Sequence, residues 1–220
     1  MNINKINKEA IIIPAVGVTF LIGFGLLLYF FTPSSVSPSI SIDENLLTKE
    51  TSHMTGQKEA SVTVVEFGDY QCPACGQTYP LTEELIKIYG QNSDFNFVYR
   101  HFPLPQHKNA QIAAEAAEAA GAQGKFWEMH KLLYENQDEW SEDSNPLPIF
   151  EKYAEALRLD TQEFIDALNG HTYADIVKSD ASDGKKIPLD HTPTLFINGI
   201  EEKNISLYNL KEKINSLLNI

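Results

Sequence analysis

Cys72 and Cys75 are the only two cysteines among 220 residues. They stand in Val64-Val65-Glu66-Phe67-Gly68-Asp69-Tyr70-Gln71-Cys72-Pro73-Ala74-Cys75 (VVEFGDYQCPAC), directly after an apolar run. A C-x-x-C pair at the start of a helix is suited to thiol–disulfide exchange. The first thiol faces unpaired backbone N–H groups and the positive end of the helix dipole, and both favour thiolate. The second lies one turn in and can attack a mixed disulfide formed by the first. Two other readings stand beside this one. Zinc usually takes four Cys or His ligands, and His101 or His191 would have to be brought to the pair by folding. A disulfide without turnover would close a loop too short to staple a fold.

The elements around the pair follow from pattern. Ala60 to Phe67 is β-branched and aromatic with turn residues after it, which predicts a strand. Val62, Val64 and Glu66 share one face of it; Val65 and Phe67 share the other. Glu66 therefore falls on an apolar face, where a carboxylate needs a task or a partner unless it reaches solvent at a sheet edge. Pro73 suits the first position of a helix that opens at Cys72 and runs to Gly90, with Pro80 expected to kink it. Phe95 to Phe102 is a second strand and Thr194 to Ile197 a third, followed by the hairpin signal Asn198-Gly199.

Between these strands lies helical sequence: Asn109 to Ala122, Lys125 to Asn136, Ile149 to Leu157, a helix opened by the capping box Asp160-Thr161-Gln162-Glu163, and Tyr173 to Ser182. Ser206 to Leu218 closes the chain as a helix. Strand, helix, strand, helical block, hairpin and helix predict one mixed α/β sheet with an inserted helical domain at about 105–186.

Ahead of this domain, Ala10 to Phe31 carries no charge. As a helix it would span roughly 33 Å, enough for a bilayer core. It reads as a single transmembrane anchor, the alternative being a cleaved signal peptide. Lys5 and Lys8 precede it and the next Lys or Arg is Lys49, so the positive-inside rule puts residues 1–9 in the cytoplasm and the rest outside. Residues 32–59, rich in Ser, Pro and Thr, read as a flexible tether. The domain is then 60–220, a single-domain size. The net charge of −13, from 30 acidic and 17 basic residues, argues against nucleic acid as a partner. No calcium loop of recognisable spacing is present.

Four stretches in order carry a resemblance. Phe67 to Cys75 (FGDYQCPAC), Tyr99 to Leu104 (YRHFPL), Gly121 to Leu133 (GAQGKFWEMHKLL) and Thr192 to Gly199 (TPTLFING) resemble the DsbA-like branch of the thioredoxin superfamily, and in particular its membrane-anchored bacterial members. The resemblance spans about residues 60–218. It implies a thioredoxin-like fold and no cofactor or metal. It implies that Cys72 is the exposed attacking thiolate and Cys75 the resolving thiol. Pro193 would be a cis-proline facing the pair, with Thr192 offering its backbone to an extended substrate. Glu66, six residues before Cys72, would be the buried acid that accepts a proton from the resolving thiol.

Two departures from the family pattern bear on oxidising strength. Ala74 offers no side-chain donor to the Cys72 thiolate. His191 stands where the family often has Gly, either as a solvated loop residue or as a protonated donor that lowers the Cys72 pKa. His130, Phe126, Trp127, Met129 and Leu133 read as packing or helix-face residues, His101 as structural, and Asp69 as a turn residue or a guard of substrate access.

The function expected from all this is a membrane-tethered thiol–disulfide oxidoreductase outside the cytoplasmic membrane. It would donate the Cys72–Cys75 disulfide to reduced secreted proteins and be reoxidised by a quinone-linked thiol oxidase of the membrane. A reductase or isomerase uses the same motif in another direction, and a redox-independent holdase or peptide-binding module is the rival outside enzymes.

Overall fold

Val62–Gly68 forms the strand from which the site is built. It is β2 of a computed structural model that describes residue 42 and residues 44–220 apart from 188. The expected cytoplasmic N-terminus 1–9, the anchor 10–31 and the first part of the tether lie outside the described residues. Among the described residues no helix is long and apolar enough to cross a membrane.

In chain order the elements are α1 (Glu44–Leu47), β1 (His53–Met54), β2, α2 (Pro73–Tyr89), β3 (Phe95–His101) and α3 (Ala110–Ala122), then α4 (Phe126–Glu135), α5 (Gln137–Trp140), α6 (Leu147–Ala156) and α7 (Thr161–Asn169), and finally α8 (Ala174–Lys186), β4 (Thr194–Ile197), β5 (Ile200–Glu201) and α9 (Leu207–Leu218). The sheet order is β1-β3-β2-β4-β5. β2 and β3 run parallel, joined by α2 as a crossover, while β1, β4 and β5 pair antiparallel to their neighbours. Helices α3 to α8 follow β3 as the expected insertion. The thioredoxin-like mixed sheet is thus as expected, with strand ends moved by one or two residues.

The side-chain alternation of β2 divides the core as the pattern required. Val62 and Val64 join Cys75, Tyr79 and Leu85 of α2 and Leu210 and Ile214 of α9 in one apolar cluster. Val65 and Phe67 join Val98, Phe102, Phe196, Ile187 and Leu47 in another, on the opposite face. Burying each such side chain contributes ~1.5–3 kcal/mol. Glu66, on the α2 face, lies between Tyr99 of β3 and Leu195 of β4 in the ladder. It is buried in the middle of the sheet, so the reading of an edge acid reaching solvent fails.

Local signals act as their chemistry dictates. Asp160 caps α7, its side chain accepting from the backbone N–H of Glu163 at 3.0 Å. The reciprocal half of that capping box is taken over by tertiary structure, because the Asp160 N–H donates to Gln123 Oε1 at 2.7 Å. Ser206 caps α9 through Asn209 N–H. Asn198 and Gly199 both take positive φ, 48° and 79°, the left-handed pair that a tight two-residue hairpin needs.

One expectation needs correction. The tether was expected to reach residue 59, but residues 44–59 include α1 and β1, and β1 pairs with β3. Leu47 is only 2 % exposed. The buried Arg100 donates through Nη1 to the carbonyls of Leu46 (3.0 Å) and Leu47 (2.8 Å), and Lys49 pairs with Asp183. His53 bonds Glu118 at 3.0 Å and stacks on Phe126. These polar partners come from β3, α3 and α8. Composition of the segment alone could not show them.

Candidate active site

β2 ends at Gly68, and the chain turns through Asp69-Tyr70-Gln71 into α2. Cys72 stands at the N-cap of α2 with extended backbone (φ −69°, ψ 121°), and Pro73 takes the first helical position. Pro73 has no N–H to leave unpaired there. Cys72 is 7 % exposed and Cys75 fully buried, and both are free thiols. The loop before β4 faces them. The Thr192–Pro193 bond is cis, as the resemblance implied, and Cys72 Sγ lies 3.5 Å from the Thr192 carbonyl oxygen.

The two sulfurs are driven in opposite directions. The Cys72 thiol is held down at about 5, first by a hydrogen bond from the Cys75 thiol, then by Thr192 and by the backbone N–H groups of Cys75 and Ala74, against burial, which acts the other way. The Thr192 carbonyl favours the protonated thiol. The Thr192 hydroxyl, buried with no hydrogen-bond partner of its own, is the side-chain group on that residue that acts in favour of thiolate. Burial pushes the Cys75 thiol well up, with further pushes from Cys72 and from the charge of Glu66. The Asp69 N–H approaches Cys75 Sγ at 3.5 Å. Ala74 therefore serves the thiolate through its backbone, despite having no side-chain donor.

Glu66, at 1 % exposure, has its carboxyl raised to about 8 by burial, partly offset by the Thr82 hydroxyl. It carries a proton at neutral pH. Around it lies a buried polar group in which His130 and Tyr134 of the insertion meet Tyr70 and Tyr99 of the sheet side: Tyr99 Oη and Tyr134 Oη are 2.7 Å apart, and Tyr70 Oη lies 2.9 Å from His130 Nδ1. Burial lowers the His130 pKa to about 3, so its ring is neutral. His130 is thus an interior partner of Tyr70 rather than a helix-face residue.

His191 is exposed, with Nδ1 2.6 Å from Asp190 Oδ1. No hydrogen bond joins its ring to Cys72, and it is not among the groups that hold the Cys72 thiol down. The thiolate-donor role envisaged for His191 is replaced by the Thr192 hydroxyl and the two backbone N–H groups.

Sequence reasoning missed the side chains that hold the loop. Asp69 is buried; Oδ1 accepts from Gln71 N–H at 2.8 Å, and Oδ2 from Leu104 N–H at 2.8 Å with His107 Nδ1 at 2.6 Å. Gln71 donates to Ser141 O and accepts from Asn109 N–H. Gln137 Nε2 donates to the carbonyls of Tyr70 and Cys72. The Asp69–Gln71 turn had a local signal. The other partners lie 35–70 residues away, and of them only Leu104 falls in one of the four stretches that carry the resemblance.

Comparison with known proteins agrees with this geometry. The thioredoxin family model matches residues 48–216. Oxidised BdbD from Bacillus subtilis is similar at 26 % identity and a TM-score of 0.68, covering 76 % of this chain and 92 % of BdbD. The α-DsbA1 protein of Wolbachia pipientis shares the fold at a TM-score of 0.71 and 19 % identity, over 80 % of this chain and 95 % of that one. Among curated sequences, Na(+)/H(+) antiporter NhaA 3 of Salinispora tropica is 43 % identical over 148 residues, which is 67 % of this chain and 22 % of that protein. The chain spans less than a quarter of the length of the first curated relatives it matches, and the antiporter name belongs to those whole proteins. This chain belongs to the thioredoxin family, and its fold is that of the DsbA-like thiol–disulfide oxidoreductases.

Proposed function

We propose that this protein is a thiol–disulfide oxidoreductase that donates the Cys72–Cys75 disulfide to reduced proteins outside the cytoplasmic membrane. The observation that carries the reading is the asymmetry of the pair. Cys72 is stabilised as thiolate at a helix start, with a pKa of about 5, and Cys75 is buried with its thiol pushed up. A thiolate favoured in the reduced form makes the disulfide form the stronger oxidant.

In the forward reaction a substrate thiolate attacks Cys72 Sγ. The Cys72–Cys75 bond breaks, a substrate–Cys72 disulfide forms, and Cys75 leaves as thiolate. Cys75 then takes a proton, for which the protonated Glu66 is the near donor. A second substrate thiolate attacks the substrate sulfur and releases Cys72 as thiolate. Two electrons pass from the substrate dithiol to the pair, and the substrate gains a disulfide. A low pKa makes Cys72 a good leaving group in that second step.

The uncharged run 10–31, with Lys5 and Lys8 before it, supports a single-pass anchor with the N-terminus inside. Anchoring would hold the domain close both to a quinone-linked thiol oxidase of the membrane, which would restore the disulfide, and to emerging chains. The test is transfer to a reduced, unfolded ribonuclease by the oxidised protein. Wild type is expected to restore ribonuclease activity and consume one protein disulfide per substrate disulfide formed. Cys72→Ser is expected to restore none. Rescue by Cys72→Ser would mean that the Cys72–Cys75 disulfide is not the oxidant, and would overturn the reading.

A further inference from the structure

Gln137 begins the short helix α5 inside the insertion, 65 residues after Cys72. Its Nε2 donates to the carbonyl of Tyr70 at 2.6 Å and to that of Cys72 at 3.0 Å. One amide thus spans the bend that leads from β2 into α2. The Cys72 carbonyl also accepts the first helical bond of α2, from Gly76 N–H at 3.1 Å. The same oxygen joins the clamp to the helix.

Gln71, inside the bend, is held separately. Its Nε2 donates to Ser141 O at 2.6 Å and its Oε1 accepts from Asn109 N–H at 2.6 Å. The Asn109 amide in turn donates to the carbonyls of Trp140, Ser141 and Asp143. The insertion therefore braces the backbone that presents the first thiol. Gly76 gives an independent sign of the same contact. A Cβ there would stand 2.7 Å from Gln137 Oε1. Alanine is the better helix former, yet glycine leaves the room that the glutamine occupies.

We propose that Gln137 is a positioning residue for thiol–disulfide exchange, holding the Cys72 backbone so that the N–H groups of Ala74 and Cys75 face the sulfur. This rests on the exchange reading given above. Hydrogen bonds weaken steeply as donor angles depart from linear, and those to a charged acceptor lose most. Releasing the two carbonyls lets the bend relax and costs the thiolate more than the thiol. The reduced form is then stabilised less.

The test uses two routes to the same loss. Gln137→Ala removes the amide. Gly76→Ala displaces it while leaving the glutamine in place and raising helix propensity. The Cys72 titration is read from thiolate ultraviolet absorbance, and the redox equilibrium from mixtures with glutathione. Both variants are expected to raise the Cys72 pKa by about one unit and to shift the equilibrium roughly tenfold toward the disulfide, ~30 mV more reducing. Gln137→Glu, which cannot donate to either carbonyl, is expected to shift both at least as far.

A merely structural role would lower the melting midpoint and leave titration and equilibrium unchanged, which would overturn the proposal. Wild-type transfer to ribonuclease separates the two claims. Transfer with no shift in any variant sinks the positioning role alone; shifts without any wild-type transfer sink the exchange reading alone.

Discussion

The Sγ of Cys72 lies 3.5 Å from the carbonyl oxygen of Thr192, on the loop that carries cis-Pro193. The Thr192 hydroxyl is buried with no hydrogen-bond partner, free to turn to the sulfur, and Thr192 helps hold the Cys72 thiol down at about 5. Thr192→Val keeps the shape and removes the donor. A hydrogen bond to a charged group contributes ~1.5–3 kcal/mol, and one pKa unit corresponds to ~1.4 kcal/mol. The variant is expected to titrate about one unit higher, measured by the pH dependence of alkylation. An unmoved midpoint would assign the low value to the helix and Cys75 alone.

Glu66 makes stability depend on pH with a defined sign. Its carboxyl is at about 8 in the fold and ~4.3 in an unfolded chain. Between these values the folded state binds the extra proton, so stability falls as pH rises and levels off above the folded value. The whole loss is on the order of 5 kcal/mol. Glu66→Gln does not ionise. Its urea midpoint is expected to stay level where that of wild type declines, with the gap widest above about pH 8. Parallel curves across the window would contradict a buried, proton-carrying Glu66.

Leu47 tests whether the segment before residue 60 is part of the domain. It is buried against Phe67, Val98 and Phe196 in the second apolar cluster. Leu47→Ala is expected to cost about 2–4 kcal/mol in denaturant unfolding. A free tether would show no loss.

Asp69 holds the bend from the other side, with acceptors spent on Gln71, Leu104 and His107. Asp69→Asn retains one oxygen and turns the other into a donor facing donors. Destabilisation by about 2–3 kcal/mol is expected, with slower disulfide transfer. Unchanged stability would mean that the loop is held without it.

Much of this was legible in the residues. β2, β3 and β4 were marked by β-branched and aromatic runs, the hairpin by Asn198-Gly199, α7 by Asp160, and the thiol pair by Pro73 and its place after a strand. Glu66 was legible because alternation set it on an apolar face. What stayed hidden was long-range polar satisfaction. Arg100 bonding the carbonyls of α1, Glu118 holding His53, and Gln137 bracing Tyr70 and Cys72 each join segments tens of residues apart, and none has a local period or motif. His191 stood near the site in sequence, yet its ring turns to Asp190, a neighbour that competes directly for it.

The central claim is that the pair is built to give its disulfide away. The most direct measurement is the reduction potential of Cys72/Cys75 by equilibration with glutathione. A Cys72 pKa of about 5 predicts a stabilised reduced form and a value toward roughly −120 mV. A value near roughly −270 mV would mean that the disulfide is held tightly, and would contradict the account in favour of a reductase fed by an electron donor.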